Sequence, residues 1–482
     1  MKNHDTRGAA SGADTARAAV TRPARRALGA VTLPLWLALA GCVAAPLEDL
    51  PSRAATATAT TPAMKAFPAP RPVAPARSNR DIARDFLDLT FRLESGRALE
   101  RFSRFEGPIT VRVTGAPPPS LIPDLDRVLT RLRREAGLDI ARVRGRAEAA
   151  NITIEAVGRA EIRRFLPKAA CFVVPNVTSL EDYQNARFSR KTSWRQLARR
   201  DRIAIFVPAD SAPQEVRDCL HEELAQAIGP LNDLYRLPDS VFNDDNVHAV
   251  LTGFDMLILR ATYAPELKSG MTRAEVAARL PAILTRLNPA GDATPPRRLA
   301  ATSRDWIDAI QTALGPGAGA ATRRNAARRA LSLAERQGWQ DHRLAFSHFA
   351  LARITQSATP ERALRHFAAA DRIYARLPGT ALHRAYSAPQ LAAYAISQGR
   401  GTEALERLAP HFETARRYEN AALLATLMML KAEALTLEGR AAEARLVRLD
   451  SLGWARYGFG ADWAVRAKLR EIAGLNPLSD KR

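Results

Sequence analysis

Lysine and cysteine are scarce in this sequence, and aromatic residues make up only 6% of it. Only 8 of the 71 basic residues are lysine, although the formal net charge is +21. The arginines are spread along an alanine-rich chain, which is typical of a coding bias, and no basic block contains interleaved aromatic residues. The sequence therefore favours no nucleic-acid partner. Its 482 residues, 46% of them hydrophobic, are enough for about two to four domains.

The apolar run over residues 27–40 is too short to span a membrane and has the length of a secretion signal. It follows an arginine-containing segment and ends in the tetrapeptide LAGC, whose last residue is Cys42. This ending resembles the lipobox of bacterial lipoproteins. The resemblance implies a signal peptide over residues 1–41 and a lipid on Cys42 that binds the bilayer. It also implies a location in the bacterial cell envelope, facing the periplasm. An ordinary signal peptide followed by a chance cysteine is the alternative.

Residues 42–79 are rich in proline, alanine and threonine. Such a composition does not build a core and favours an extended chain. We therefore predict a tether between the lipid and the folded part of the protein.

Apolar patterns between residues 80 and 290 predict an α+β domain. Amphipathic helices are expected over Arg80–Arg104, with Asn79 as its cap, and over Ser120–Ala136 and Pro213–Ile228. Strands are expected over Ile109–Val113, Asn151–Val157, Cys171–Val174 and Arg202–Val207.

The stretch of residues 216–263 contains the densest group of residues of catalytic type. His221-Glu222 begins like the HExxH motif, in which two histidines on one helix face bind zinc and the glutamate is the general base. Position 225 is alanine, however, so the second histidine of this frame is missing. A zinc site cannot form from that pair.

A frame shifted by one residue fits better. The segment EELAQAIGPLND resembles the metzincin pattern HExxHxxGxxHD, with the turn glycine and the final acidic residue, Asp233, retained. In this frame Glu223 occupies the place of the general base, and Glu222, Gln226 and Asn232 occupy the places of the three histidines. Oxygen donors suit hard cations better than zinc. The resemblance thus implies a zincin-like scaffold, a pseudo-protease, whose degenerate site lacks zinc.

Two other interpretations of these side chains stay open. The helix residues could simply be solvated, and the loop after them could bind calcium weakly. That loop lacks the residue order of an EF-hand, and turn formation explains its composition equally well. Its acidic and amide residues are Asp233, Asp239, Asn243, Asp244, Asp245 and Asn246.

The segments HEELAQAIGPLNDLYRLPDSVFNDDN and LTGFDMLILRATYAPELKSGM resemble the domain of unknown function (DUF) 2927 family of bacterial lipoproteins. The resemblance covers about residues 80–275 and implies no established activity. It leaves open that His221, Glu222 and Gln226 form a site specific to that family.

Cys171 and Cys219 remain once Cys42 is assigned to the signal. In an oxidising compartment a pair of cysteines favours a disulfide, which here would join the predicted sheet to the helix of the motif. Two buried free thiols are the alternative.

Residues 300–482 consist of alanine-rich helical segments separated by three similar breaks, at residues 357–363, 398–404 and 438–444. The breaks recur about every 40 residues, which resembles tetratricopeptide-like stacked helix pairs. A bundle without repeats is the alternative. The histidines of this half have no ligand spacing and are expected at the surface or in a groove; they are His342, His348, His366, His383 and His411.

The sequence as a whole predicts a zincin-like α+β domain followed by an all-α helical-repeat domain. The favoured function is a non-catalytic interaction lipoprotein that needs no cofactor and binds a protein or peptide on its helical half. The alternative is an envelope metallohydrolase with an atypical site around His221–Gln226, so the question of enzymatic activity stays open. A module that binds the cell wall is a third possibility.

Overall fold

Five strands form one sheet whose central members are buried on both faces. The computed structural model describes residues 62–68, 73–144 and 149–479. The strand order is β2-β1-β3-β5-β4, and all neighbours are parallel except the edge strand β4, which runs antiparallel to β5. The strands are β1 Ile109–Gly115, β2 Ile140–Arg142, β3 Ile152–Val157, β4 Phe172–Pro175 and β5 Ile203–Pro208.

The alternation of side chains along β5 separates two cores. Ile203, Ile205 and Val207 face the larger core, whereas Ala204 and Phe206 face a smaller one on the opposite side of the sheet. Successive residues of a strand point to opposite faces, so a continuous apolar run is the pattern of a strand covered on both sides.

Helices cover both faces of this sheet. The helices α2 and α5 lie against the larger core, and α3 and α4 lie against the smaller one. The helices of this region are α1 Asn79–Thr90, α2 Leu121–Glu135, α3 Arg159–Phe165, α4 Leu180–Ala186, α5 Pro213–Ile228, α6 Gly253–Thr262, α7 Arg273–Leu287 and α8 Ala290–Ala293.

The remainder of the described chain is helical. Consecutive helices pack against each other, as in the pairs α11 with α12, α13 with α14 and α16 with α17. Their bounds are α9 Arg304–Leu314, α10 Ala320–Arg336, α11 His342–Thr355, α12 Pro360–Tyr374, α13 Ala381–Ser397, α14 Gly401–Leu408, α15 Phe412–Arg417, α16 Ala421–Leu437, α17 Ala441–Phe459 and α18 Asp462–Ala473.

This architecture confirms the prediction of a mixed α/β region followed by a large helical region. Each of the three predicted breaks begins in the connection between two helices and extends into the first turn of the second. At two of them a glycine in the left-handed region, Gly399 (φ 70°) or Gly439 (φ 73°), ends a helix. The next residue then donates its N–H five residues back, Arg400 to Ala395 and Arg440 to Leu435, both at 2.9 Å. This is the Schellman geometry that glycine favours.

The prediction of one helix over Arg80–Arg104 is wrong in length. Helix α1 ends at Thr90, and the chain then turns back, with the Leu99 N–H donating to the Phe91 carbonyl (2.9 Å). Both of these side chains remain buried, so the apolar spacing that suggested a longer helix belongs to a turn. The cap also differs, because the Ser78 hydroxyl accepts the Asp81 N–H and Asn79 is the first helical residue.

The last part of the predicted tether is packed against the folded chain. We call residues 62–68 and 73–78 the strap. The Lys65 N–H donates to the Gly453 carbonyl (3.1 Å), and Phe67 is buried and stacks on Trp454. Farther along, the backbone of Val73 leaves no room for a side chain at Gly253. The strap is therefore part of the fold, whereas Cys42 and the predicted signal peptide lie outside the described residues.

The described residues belong to one compact unit, so the proposed boundary near residue 290 stays a prediction. Within the described ranges, no helix combines the length and apolarity required to cross a membrane.

The predicted pair Cys171–Cys219 is a disulfide, which joins the residue before β4 to the middle of α5. It closes a loop of 48 residues. By the loop-entropy relation such a cross-link contributes about 4 kcal/mol of stability, because it restricts the unfolded chain.

We expect the double substitution of Cys171 and Cys219 by serine to lower the free energy of unfolding by about 4 kcal/mol, measured by urea denaturation. The wild-type chain with and without reductant is the control. An unchanged denaturation midpoint in both comparisons would show that the disulfide contributes no stability.

Candidate functional site

Helix α5 carries the candidate site and is buried on nearly all of its surface. It packs against the strands β4 and β5 and the helix α2, and its N-terminal half also contacts the helical region. There the Gln214 side chain donates to Asn420 (3.2 Å) and accepts the Ala422 N–H (2.9 Å). Arg217, which is 2% exposed, lies between Asp218 and Glu419. The first turns of α5 thus form part of the interface between the sheet region and the helical region.

His221 points away from the acidic residues of its own motif. Its Nδ1 accepts the N–H of Leu251 (3.2 Å). Burial lowers the pKa of His221 well below its usual value, and Arg131, Arg217 and Arg127 lower it further. The ring is therefore neutral and carries its proton on Nε2, so neither nitrogen presents a lone pair to a metal. This geometry supports a structural role for His221, in positioning the chain before α6.

Five carboxylates lie close together beside the second half of α5, and we call this group the acidic recess. It consists of Glu94, Glu222, Glu223, Asp233 and Asp244. Burial raises the pKa of Glu222 to about 8, with contributions from Glu94 and Asp244. Burial and the neighbouring carboxylates also raise the pKa of Glu223 and of Asp233 well above their usual values. Near neutral pH the recess therefore holds protons, since closely spaced carboxylates cannot all ionise.

Two oxygens of the acidic recess have no partner among the described residues, namely Glu223 Oε2 and Asp233 Oδ1. Glu223 is 5% exposed, so its free oxygen is shielded from solvent. An ionised carboxylate in that position would be costly, whereas the protonated form avoids most of the cost. Protonation therefore removes the charge that a hydrogen bond or an ion pair usually stabilises in a buried carboxylate.

Asn232 and Gln226, the other two candidate ligands, both contact groups of the α1 region. The Asn232 amide donates to the Asp88 carbonyl (2.9 Å), and the Gln226 amide lies 3.5 Å from a Glu94 oxygen. Across the described part of the chain, no three His, Cys, Asp or Glu side chains are arranged to hold one metal ion. Since His221 faces elsewhere and the remaining donors are carboxylates and amides, these residues do not fit a catalytic zinc.

The loop after α5 connects the sheet region to the helical region. The Gln311 amide donates to Asp244 (3.0 Å), and the His383 Nε2 bonds Asp245 (2.8 Å). The Tyr235 ring packs in a core with Trp306. Four of the six Asx residues that suggested calcium thus make contacts within the protein: besides Asp244 and Asp245, Asn243 donates to the Leu237 carbonyl, and Asp239 pairs with Arg77.

The expected surface or groove position of the C-terminal histidines is wrong for His383 and His411, which are buried. His342 is also buried but borders a cavity, as expected for a groove residue. His342 Nε2 lies 2.6 Å from the Tyr235 carbonyl. Burial, with a contribution from His383, lowers the pKa of His342 to about 3. His248 packs beside His383 as well. Sequence spacing could not reveal this group, because its members lie on elements far apart in the chain.

The acidic recess predicts a pH-dependent stability. The folded chain raises the pKa of Glu222 from its usual 4.5 to about 8 and therefore retains a proton that the unfolded chain has lost between those values. The contribution of Glu222 to stability is thus complete below about pH 4.5 and is lost as the pH rises toward 8. We expect the free energy of unfolding of Glu222→Gln to exceed that of wild type by about 4 kcal/mol at pH 8 and by about 1 kcal/mol at pH 5.

This difference is measured by urea unfolding between pH 5 and pH 8. Glu361→Gln, at an exposed glutamate of α12, is the matched control. Parallel pH profiles for wild type and Glu222→Gln would contradict the assignment of a shared proton to the acidic recess.

The comparisons with known proteins cover the sheet region. No curated protein and no solved structure matches this chain. Residues 79–282 match the model of a family described as "Protein of unknown function (DUF2927)". These residues include the whole sheet, α5 and the loop that joins it to the helical region. The match supports the resemblance that the two sequence segments predicted, and we call residues 79–282 the DUF2927 region.

Proposed function

We propose that this protein is a non-catalytic interaction module of the bacterial envelope, anchored by a lipid on Cys42. In this proposal the DUF2927 region is a zincin-like scaffold, with a sheet above the motif helix, and the helical region binds a peptide segment of a partner. The observation that carries the proposal is the fixed position of the motif helix and its loop. Both are built into the interface with the helical region, through Gln214 and Arg217 on α5 and Asp244 and Asp245 in the loop.

A groove beside this interface is suited to the partner. It has a volume of about 550 Å³ and is bounded by residues 245–247 of the loop and by helices α9, α10, α11 and α13. Its floor includes Phe346, Phe349 and Tyr386, and Arg323 and Arg353 lie at its edge. The Arg323 guanidinium bonds the carbonyls at the end of α9, whereas Arg353 is exposed. Aromatic walls with a basic edge favour an apolar segment flanked by acidic residues.

We expect a fluorescein-labelled peptide that alternates phenylalanine and glutamate to bind the full-length protein more tightly than its lysine counterpart. Arg353→Glu should weaken that binding about fivefold and reduce its dependence on salt, because it reverses one exposed charge. Fluorescence anisotropy at two salt concentrations measures both effects. Arg362→Glu, at an exposed position on α12 away from the groove, is the matched control. Equal affinity for both peptides would contradict the proposed partner chemistry.

A metallohydrolase that uses Glu223 as its base is the competing function, and the free oxygen of Glu223 is the feature that favours it. We expect equimolar zinc to leave the melting temperature of the purified protein unchanged, because the available donors do not converge. Calorimetry with and without chelator checks this. One zinc per chain, lost in both Glu222→Gln and Glu223→Gln, would favour the hydrolase instead.

A further inference from the structure

A second cavity lies where the strap, the DUF2927 region and the helical region meet. Its volume is about 330 Å³, within the size range of small-molecule sites. Its wall consists of residues 73–78 of the strap, the start of α1, the chain before α6, the linker at 294–299 and residues 377–380 with the end of α15. Its lining residues differ from those of the acidic recess and from those of the groove that we propose for a peptide.

Cationic side chains dominate this cavity. Three aspartates line it, Asp81, Asp85 and Asp239, against six arginines: Arg77, Arg84, Arg131, Arg236, Arg297 and Arg417. The aspartates already form ion pairs with arginines of the cavity. Asp85 alone is shared by Arg77, Arg84 and Arg236, and Asp239 pairs with Arg77. Outside the lining, Asp88 also pairs with Arg236, and Glu135 pairs with Arg131. The positive excess of the cavity therefore comes from its exposed arginines, Arg297 and Arg417.

Two guanidinium nitrogens have no hydrogen-bond partner in the described ranges, Arg131 Nη1 and Arg84 Nε. Arg131 is 8% exposed, and its other nitrogens bond Glu135 and the Leu251 carbonyl. A buried donor without a partner is costly, so a ligand that accepts from it gains that energy on binding.

The remaining wall is apolar. The Phe254 ring lies under the Arg77 guanidinium, 4.4 Å from the ring centroid, and Val250 and Leu377 complete this side. A guanidinium group can donate two N–H bonds to two oxygens of a carboxylate or a phosphate, and an apolar wall beside it favours a compact hydrocarbon or ring. This combination specifies a ligand with one charged end and one apolar end.

We propose that this cavity binds a small organic oxyanion, a carboxylate or a phosphate monoester attached to a compact apolar group. The arginines hold the oxyanion, and Phe254 with its neighbours contacts the apolar part. Because the strap forms one wall, the bound ligand also fixes the strap against the other two regions. This site is independent of the proposed peptide partner.

The test uses the full-length protein with phenyl phosphate and benzoate as probes. Benzylamine, of similar size and opposite charge, is the ligand control. We expect one of the anions to bind in calorimetric titration, less tightly at high salt, and benzylamine not to bind. The anion that binds more tightly identifies the oxyanion class. Binding of neither anion at millimolar concentration, or equal binding of the amine, would overturn the proposal.

Substitutions at the exposed edge of the cavity locate the site without disturbing the core. Arg417→Gln and Arg297→Gln should each weaken anion binding about threefold, since each removes one exposed charge. Arg416→Gln is the matched control, because Arg416 is the exposed neighbour on α15 and does not line this cavity. Equal affinities for Arg417→Gln, Arg297→Gln and Arg416→Gln would place the anion elsewhere and refute the assignment.

Amide hydrogen exchange gives a readout that does not depend on affinity. Saturating anion should slow exchange in residues 73–78 and leave the exposed turn at 398–400 unchanged. Binding without protection of the strap would contradict its place in the wall of the site.

Discussion

The burial of α5 on almost every side is the constraint on which the rest of the structure depends. A helix in that position must provide a partner for each of its polar side chains or keep the side chain neutral. Gln214 and Arg217 find partners in the helical region, and His221 finds the Leu251 amide. Glu223 has an oxygen with no such partner in the described ranges, and burial, with Glu222 and Glu94 nearby, raises its pKa.

The same constraint links the sheet region to the helical region. The polar groups that α5 and its loop present outward are satisfied only when the helical region is in place, as with Asp245 and the buried His383. Separating the two regions would expose apolar surface and leave these groups without partners. The interface is therefore part of the fold, and both cavities described above lie beside it.

Several elements could be predicted because their signals are local. Short strand patterns predicted β3 and β5, the latter from a continuous apolar run, and the glycine-arginine turns predicted the ends of α13 and α16. Helix α1 was predicted too long, because Phe91 and Leu99 are buried in a turn whose spacing imitates a helix. The short strand β2 was missed, since three residues carry too little pattern. The disulfide was predicted only as one of two alternatives, because spacing along the chain does not measure distance in space.

The sequence by itself determined the DUF2927 region, the helical character of the second half and the absence of the histidine pair that a zinc helix needs. Each of these depends on the residues present at fixed short spacings. The tertiary structure alone decided where the charges meet. It brought five carboxylates from the turn after α1, from α5 and from its loop into one recess, and six arginines scattered between positions 77 and 417 around one cavity. Electrostatic interaction depends on distance and burial in space, and a linear sequence specifies neither until the chain has folded.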